Sequence, residues 1–436
     1  MHLLQVTPGA GGMYCGNCLR DNALVSAFRR QGHLATMVPL YLPLTLDETN
    51  NSEGTPIFFG GLNVYLDQKA ALFRSAPAWL RRWLAHPALL KWTGRFAART
   101  RASDVADLTL SMLRGEEGNQ ARDLDEFIGW ARTLPPVDAV CISNALLLGM
   151  APRLRRDLGA RIVCLLAGED AYLDAMAEPL RSEIWRTLSE RALVVDAFVA
   201  PSRYFADRMA DRMRVPAERM HVLPLGLNLA GFPPPGSPGS AATRGSPPAI
   251  GYLARMCREK GLDTLVEAYL ELRRRNRVPG LRLKIAGGCG PGDEPFVAEL
   301  RSRLSAAGVL GDVEFHPNLS REAKIAFLQS LTVFSVPALY GEAFGLYLLE
   351  ALAAGVPVVQ PRHAGFPEAV EGTGGGVLCE PGSATALADA LESLLLDPVR
   401  CRHLGETGQR AVHERFSVDQ VARDLARLIE SIPPPR

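Results

Sequence analysis

Four residues in the second half of the chain have the types and spacing for phosphate and hydroxyl chemistry: Arg255, Lys260, Glu342 and Glu350. Arg255 and Lys260 follow the apolar run Ala249–Leu253 and precede Gly261. A guanidinium offers a planar fork of donors and an ammonium a compact mobile charge, a pair suited to diphosphate oxygens. Glu342 and Glu350 lie in the string Val336 to Glu350, which reads as strand, loop and helix. Leu331 to Pro337 is apolar and bounded by proline, as a buried parallel strand is. Gly341 is expected to turn the chain with positive φ. From about Ala343 apolar residues recur at helical spacing through Leu346, Leu349, Ala353 and Ala354, until Gly355 and Pro357 stop the helix. The opening amides, at Ala343, Phe344, Gly345 and Leu346, would present about half a positive charge, a phosphate site. Carboxylates beside phosphate repel it unless they meet hydroxyls instead. Glu342 and Glu350 are therefore expected to accept sugar hydroxyls on either side of a diphosphate.

The elements that must position these groups follow an α/β pattern. Leu3 to Thr7 reads as a strand, Pro8 to Gly12 as a glycine-rich loop, and Asn17 to Arg30 as a helix closed by Gly32, a nucleotide-fold opening. A dinucleotide site is disfavoured: His33 to Leu40 ends without Asp or Glu, and the third glycine of that fingerprint is missing. Further strands are expected at Val137–Ile142, Arg161–Ala167 and Val194–Ala200, with Asn144, Glu169 and Asp170 as polar groups at strand ends. The pattern restarts at Ala249. Leu281–Ala286 leads into the glycine-rich Gly287–Gly292, and Val313–Phe315 into His316-Pro317-Asn318-Leu319. Residues 233–248, rich in Pro, Gly and Ser, read as a linker.

Glu342-x7-Glu350 with Gly345, continuing through Ala351-Leu352-Ala353-Ala354-Gly355-Val356-Pro357-Val358-Val359, resembles the donor-site motif of retaining GT-B glycosyltransferases of family 4, the glycosyl transferases group 1. Gly251-Tyr252-Leu253-x-Arg255-x4-Lys260-Gly261 is similar to that family's pyrophosphate motif. The resemblance implies two Rossmann-like domains facing across a cleft: an acceptor-side domain at 1–232, the linker 233–248, a nucleotide-sugar domain at 249–412, and a last helix, 413–436, crossing back. It implies sugar transfer from a nucleotide sugar with retention at the anomeric carbon and without a metal ion or other cofactor. Arg255 and Lys260 would neutralise the departing diphosphate, Glu342 orient the sugar and Glu350 the ribose. Gly11 and Gly12 would let backbone approach the diphosphate, and the backbone of Asn318 and Leu319 would meet the base, which leaves uridine, guanosine and adenosine donors open. The chain departs from the family on its acceptor side. Cys141, Ser143 and Ala167 stand where histidines are frequent, so Asn144, Glu169 and Asp170 become the candidates there. The lost histidines also motivate the alternative of a sugar-nucleotide-binding protein without transfer activity.

The totals bound the rest. Hydrophobic content of 47% and charged content of 22% belong to a globular chain, and a net charge of +1 gives no general pull toward nucleic acid. No apolar run approaches the roughly 18 residues of a membrane span. The start, Met1-His2-Leu3-Leu4-Gln5-Val6, reads as a strand rather than a signal peptide, so a cytoplasmic protein is expected. Residues 68–103 carry Lys and Arg interleaved with Trp79, Trp83, Trp92, Phe73 and Phe96 and no acidic side chain. That stretch reads as a helical insertion that either packs its Trp inward or touches a membrane interface peripherally, consistent with a carbohydrate or lipid-linked acceptor. Asp123-x-Asp125 falls in a helical stretch and reads as a solvated face rather than a metal pair. Cys15-x2-Cys18 lies at a helix start, which lowers thiol pKa and admits redox or metal chemistry, but no second Cys-x2-Cys completes a zinc site, and acceptor contact or local packing is the reading adopted.

Overall fold

The computed structural model describes residues 1–9, 15–59, 102–236 and 247–435. Short apolar runs in it form two parallel six-stranded sheets. The first contains β1 (His2–Thr7), β2 (Leu34–Pro39), β3 (Ala139–Ile142), β4 (Arg161–Leu165), β5 (Ala197–Ala200) and β6 (Met220–Val222). The second contains β7 (Ala249–Leu253), β8 (Arg282–Gly287), β9 (Val313–Pro317), β10 (Val333–Phe334), β11 (Val358–Pro361) and β12 (Gly376–Cys379). Every residue of β1, β3, β5 and β7 is buried. Strands covered on both faces by crossover helices carry continuous apolar runs rather than alternation, which is why these sequences read as they do.

The strand orders carry functional information. The first sheet runs β2-β1-β3-β4-β5-β6 and the second β12-β11-β10-β7-β8-β9. Counted from its own first strand, the second sheet has the doubly-wound order 3-2-1-4-5-6. Its direction of winding reverses between β7 and β10, which are paired in register Val333 to Ile250 and Phe334 to Gly251. The first sheet reverses between β1 and β3. In open α/β sheets, such switch points leave a crevice at the carboxyl ends of the strands.

The chain divides into two units, Met1–Gly226 with Val421–Arg436, and Leu227–Gln420. Leu227 to Pro233 are held in the second unit. Arg321 donates to the Asn228 and Ala230 carbonyls at 2.7 and 3.0 Å, and Gln409 to the Pro233 carbonyl at 3.1 Å. The last helix, Val418–Ser431, ends in the first unit, where Arg161 donates to the Ile432 carbonyl at 2.7 Å.

The strand–loop–helix string departs from expectation in two details. The ladder of β10 is only two residues long, although the Ser335 amide still bonds the Gly251 carbonyl at 2.9 Å. The helix begins at Leu346, not Ala343, because the left-handed turn sits at Gly345 (φ +89°) rather than at Gly341. Ala343 and Phe344 thus belong to the loop, where both are buried, and their segment is pinned by the Gly365 amide on the Glu342 carbonyl at 3.0 Å. The residues of the basic stretch 68–103 up to 101, the linker's 237–246, and Gly11 and Gly12 lie outside the described residues.

Candidate functional site

The switch point of the second sheet is built from two loops, one after β7 and one after β10. The β7 loop ends in a single 3-10 turn, Arg258–Lys260, and Gly261 follows at φ +71° as the cap of helix Leu262–Arg275. A Cβ at Gly261 would stand 1.8 Å from the Pro337 carbonyl oxygen. Only glycine allows this approach, which lays the β7 loop against the end of β10. The Leu339 amide completes the junction by donating to the Glu259 carbonyl at 3.0 Å. Lys260 is thereby delivered to the loop that carries Glu342.

The Lys260 ammonium lies 2.6 Å from Oε2 of Glu342 and also donates to the Tyr340 hydroxyl. It stands 4.9 and 5.4 Å from the ring centres of Tyr340 and Tyr347. Both phenols donate to the same carboxylate oxygen, Tyr340 at 3.0 Å and Tyr347 at 2.9 Å. Burial, with the Glu342 charge added, holds the Tyr347 phenol protonated far above its ordinary range, so it keeps the proton it donates to Glu342. All three bonds fall on Oε2. Oε1 is left to take a donor from elsewhere, and the Glu342 side chain is 14% exposed. Four residues further on, the helix Leu346–Ala353 opens, its Leu348 amide bonding the Gly345 carbonyl at 3.0 Å and the amides before it having no partner within the helix. A cation, a fixed carboxylate oxygen and a helix mouth therefore occupy one loop cluster at the strands' carboxyl ends. That set can neutralise an anion and align a hydroxyl-bearing group beside it.

Arg255 is placed differently. Its guanidinium is 66% exposed and pairs with Asp293 at 2.9 to 3.1 Å. That hydrogen bond raises its affinity for its proton further. Asp293 also accepts from the Gly290 amide at 3.1 Å, so Arg255 is tied to the glycine-rich loop after β8. Asn318, at φ +55°, clasps the same loop from the end of β9. Its side chain accepts from the Cys289 amide and donates to the Cys289 carbonyl, both at 3.2 Å. Leu319, half-buried, follows it. Glu350 lies one turn into its helix, 8% exposed, and Lys324 reaches its Oε1 at 2.7 Å. The structure thus joins Lys260 to Glu342, and holds Arg255, Asn318 and Leu319 around the β8 loop. Tyr340, Tyr347, Asp293 and Lys324 were not anticipated. Their only sequence signal was proximity: Tyr340 and Tyr347 lie two before and five after Glu342.

In the first unit the three polar candidates carry structural duties. Asn144 caps the 3-10 segment Ala145–Met150 by accepting from the Leu146 amide at 3.0 Å. Glu169 is buried and accepts from the amides of Ala145 and Ala167 at 2.8 and 2.9 Å, joining the ends of β3 and β4. Burial pushes its carboxyl up, against the pull of those amides. Asp170 pairs with Arg208, which also reaches Asp174 at 3.4 Å. Asp123 is buried and Asp125 pairs with Arg153 at 2.6 Å, both on helix Ala121–Ala131. Among the described residues no helix is long and apolar enough to cross a membrane.

Comparison with known proteins points the same way. The sequence model described as glycosyl transferases group 1 matches residues 238–411, and that described as glycosyltransferase family 4 matches residues 111–230. A GDP-mannose-dependent alpha-(1-6)-phosphatidylinositol monomannoside mannosyltransferase of Mycobacterium tuberculosis is 30% identical over 287 residues, 64% of this chain and 71% of the relative. A D-inositol 3-phosphate glycosyltransferase of Xylanimonas cellulosilytica is 33% identical over 249 residues, 54% of this chain and 58% of the relative. Two solved structures share the fold at low identity. Anabaena HepE in complex with UDP matches at TM-score 0.67 and 15% identity, over 99% of this chain and 100% of that one. Sucrose-phosphate synthase from Thermosynechococcus elongatus matches at TM-score 0.66 and 18% identity, over 99% and 98%.

Proposed function

The chain belongs to glycosyltransferase family 4, and from that membership we propose that it moves a hexose from a nucleoside-diphosphate sugar to a hydroxyl of a carbohydrate or lipid-linked acceptor, with retention at the anomeric carbon. The observation that carries the reading is the meeting of Lys260 with Glu342 beside the mouth of helix Leu346–Ala353, at the switch point of the second sheet. The donor diphosphate lies against that mouth, at Gly345 and Leu346, with Ala343 and Phe344 forming the approach. Lys260 changes partner from Glu342 to phosphate. Arg255 leaves Asp293, an exchange made easy by its exposure, and adds a second cation. Glu342 then offers its carboxylate to sugar hydroxyls, held in direction by Tyr340 and Tyr347. Glu350, steadied by Lys324, accepts from the ribose, and the Asn318–Leu319 backbone meets the base.

The charge that develops on the leaving diphosphate is met by side-chain cations and helix amides aimed before the reaction begins. The reaction proceeds without a metal ion. The acceptor oxygen attacks on the face from which the diphosphate departs, and a phosphate oxygen takes its proton. On the acceptor side, Asn144, Glu169 and Asp170 contribute through the strand ends they hold in place. The basic, aromatic stretch 68–103 rests on the cytoplasmic face of a membrane when the acceptor is lipid-linked, which flotation with anionic vesicles tests.

The deciding experiment supplies the purified protein with UDP-, GDP- and ADP-hexoses and a panel of inositol-containing and lipid-linked acceptors, with and without a chelator. The expected result is a product whose anomeric proton coupling matches that of the donor, formed equally in both conditions. Nucleotide binding with no transfer to any acceptor would leave a binding protein instead. Inverted product, or loss of turnover with chelator, would overturn the mechanism.

A further inference from the structure

The first sheet's switch point carries groups that the glycosyl-transfer reading does not use. Cys15 is the N-cap of helix Gly16–Arg30, and Cys18 and Asp21 follow at intervals of three along the same stripe. Cys15 is partly exposed, whereas Cys18 is 1% exposed and Asp21 fully buried. The Thr7 hydroxyl, at the end of β1, approaches Cys18 Sγ at 3.9 Å. Arg20 holds one oxygen of Asp21 at 2.9 Å and is itself anchored to the Ser143 carbonyl at 2.6 Å. The other oxygen of Asp21, Oδ2, is buried with no hydrogen-bond partner. An unpaired buried carboxylate oxygen costs free energy and marks a position where a proton or ligand is expected. Among the described residues no cluster of His, Cys, Asp and Glu completes a metal site around these thiols.

We propose that Cys15 and Cys18 form a thiol–disulfide exchange site, with Cys15 as the attacking thiolate, Cys18 as the resolving thiol, Asp21 as the proton acceptor and aliphatic disulfides as the substrate class. Cys15 Sγ attacks one sulfur of the disulfide, forming a mixed disulfide and releasing a thiolate. Asp21 takes the proton of Cys18, and Cys18 Sγ attacks Cys15 Sγ. A Cys15–Cys18 disulfide forms, and a second thiolate leaves and is protonated by water. The two protein thiols are oxidised and one small disulfide is reduced to two thiols.

The local chemistry supports these roles. The hydrogen bond with Cys18, with the amides of Cys18 and Asn17 added, lowers the Cys15 thiol to about 6. The same bond and burial push the Cys18 thiol up, so it stays protonated until resolution. Burial likewise pushes the Asp21 carboxyl up, toward accepting a proton, although Arg20 and the nearby Ser143 and Thr7 hydroxyls oppose this. The other cysteines, Cys141, Cys164, Cys257, Cys289, Cys379 and Cys401, are all pushed up by burial. Spacing alone favoured acceptor contact or local packing for this pair over redox chemistry; the difference in burial and the buried Asp21 oxygen supply what spacing lacked.

The test uses the full-length reduced protein, iodoacetamide and oxidised glutathione, with peptide masses as the readout. At pH 7 Cys15 is expected to alkylate about fivefold or more faster than Cys257, Cys289 and Cys379, the gain in thiolate outweighing the loss of nucleophilicity. Oxidised glutathione is expected to give a Cys15–Cys18 disulfide in the parent chain and a stable glutathione adduct on Cys15 in Cys18→Ser. Cys15→Ser should give neither. Asp21→Asn should not slow the first attack, since the Asp21 charge works against the Cys15 thiolate, and should make the mixed disulfide persist. Alkylation of Cys15 no faster than the three comparison thiols, together with no Cys15–Cys18 disulfide in excess oxidised glutathione, would overturn the proposal. Resolution at the parent rate in Asp21→Asn would remove the carboxylate from it. If that variant does not fold, the cysteine variants still decide the exchange itself.

Discussion

Lys260 and Glu342, 82 residues apart in sequence, meet through a 2.6 Å bond between Nζ and Oε2. The ammonium assigned to the diphosphate in the proposed reaction is therefore occupied, in the free protein, by a carboxylate of the same loop cluster. On that proposal a donor displaces the carboxylate, and a sugar hydroxyl gives it a new partner. Glu342→Gln separates the two effects. Removing the internal competitor is expected to tighten binding of the bare nucleoside diphosphate by about tenfold, or about 1.4 kcal/mol. Loss of the charged acceptor for the sugar is expected to lower turnover by about a hundredfold. Calorimetry with UDP and GDP and steady-state rates check the two arms. A fall in both affinity and rate would mean that Glu342 assists, rather than competes with, the diphosphate.

Replacing the cation itself should act in the other direction on binding. Lys260→Ala is expected to cost about 3 kcal/mol of transition-state stabilisation, read as a loss of more than about a hundredfold in kcat/KM. It also leaves Glu342 without its cation, so thermal melting must accompany the kinetics. Unchanged turnover in a folded variant would contradict the clamp.

Gly261 tests how the two loops are held together. Alanine there meets the Pro337 carbonyl at 1.8 Å and must adopt φ +71°. The backbone strain of about 1–2 kcal/mol adds to overpacking of about 1–3 kcal/mol. Gly261→Ala is thus expected to lower stability by about 3 kcal/mol. It should also move Lys260 off Glu342, so nucleotide affinity falls in whatever fraction stays folded. A denaturant titration with unchanged midpoint would show that the loops do not pack as described.

The residues of the candidate site were legible in sequence where their signal is local. Arg255 and Lys260 stand between a strand and a glycine, and Glu342 and Glu350 flank a helix start, so local punctuation and the family's motifs together singled them out. Their partners were not legible. Asp293 reaches Arg255 across 38 residues, and Lys324 reaches Glu350 from another helix, pairings set by strand order rather than spacing. Tyr347 carried no signal of its own in the sequence, yet its hydroxyl turns to Glu342. Asn144, Glu169 and Asp170 were candidates as polar groups at the strand ends where the family's histidines are missing, with helix capping the rival reading. Asn144 and Glu169 do satisfy amides exposed where a strand stops, a need that composition does not distinguish from binding. The helix start was misplaced by three residues because the positive φ falls at Gly345 rather than at Gly341, which leaves Ala343 and Phe344 in the loop.

Histidine burial makes a pH prediction with a definite sign. His413, on helix Pro398–Arg415, has Nε2 buried without a partner, and burial lowers its proton affinity below the ordinary 6.5. Below pH 6.5 the unfolded chain binds a proton there that the folded chain refuses, so folding stability falls as pH falls. The loss grows by at most about 1.4 kcal/mol per pH unit until the lowered folded value is passed. His221, also lowered by burial, adds to it. Asp21 and Glu169, whose carboxyls are raised by burial, act oppositely: between their unfolded and folded values the folded chain holds the extra proton, and acidification stabilises it. The absolute profile therefore mixes signs, and the informative quantity is a difference. His413→Gln is expected to lose less Tm than the parent chain between pH 7 and pH 5.5, with the gap between the two narrowing as pH falls. Equal losses in both proteins would show that His413 is protonated as readily folded as unfolded.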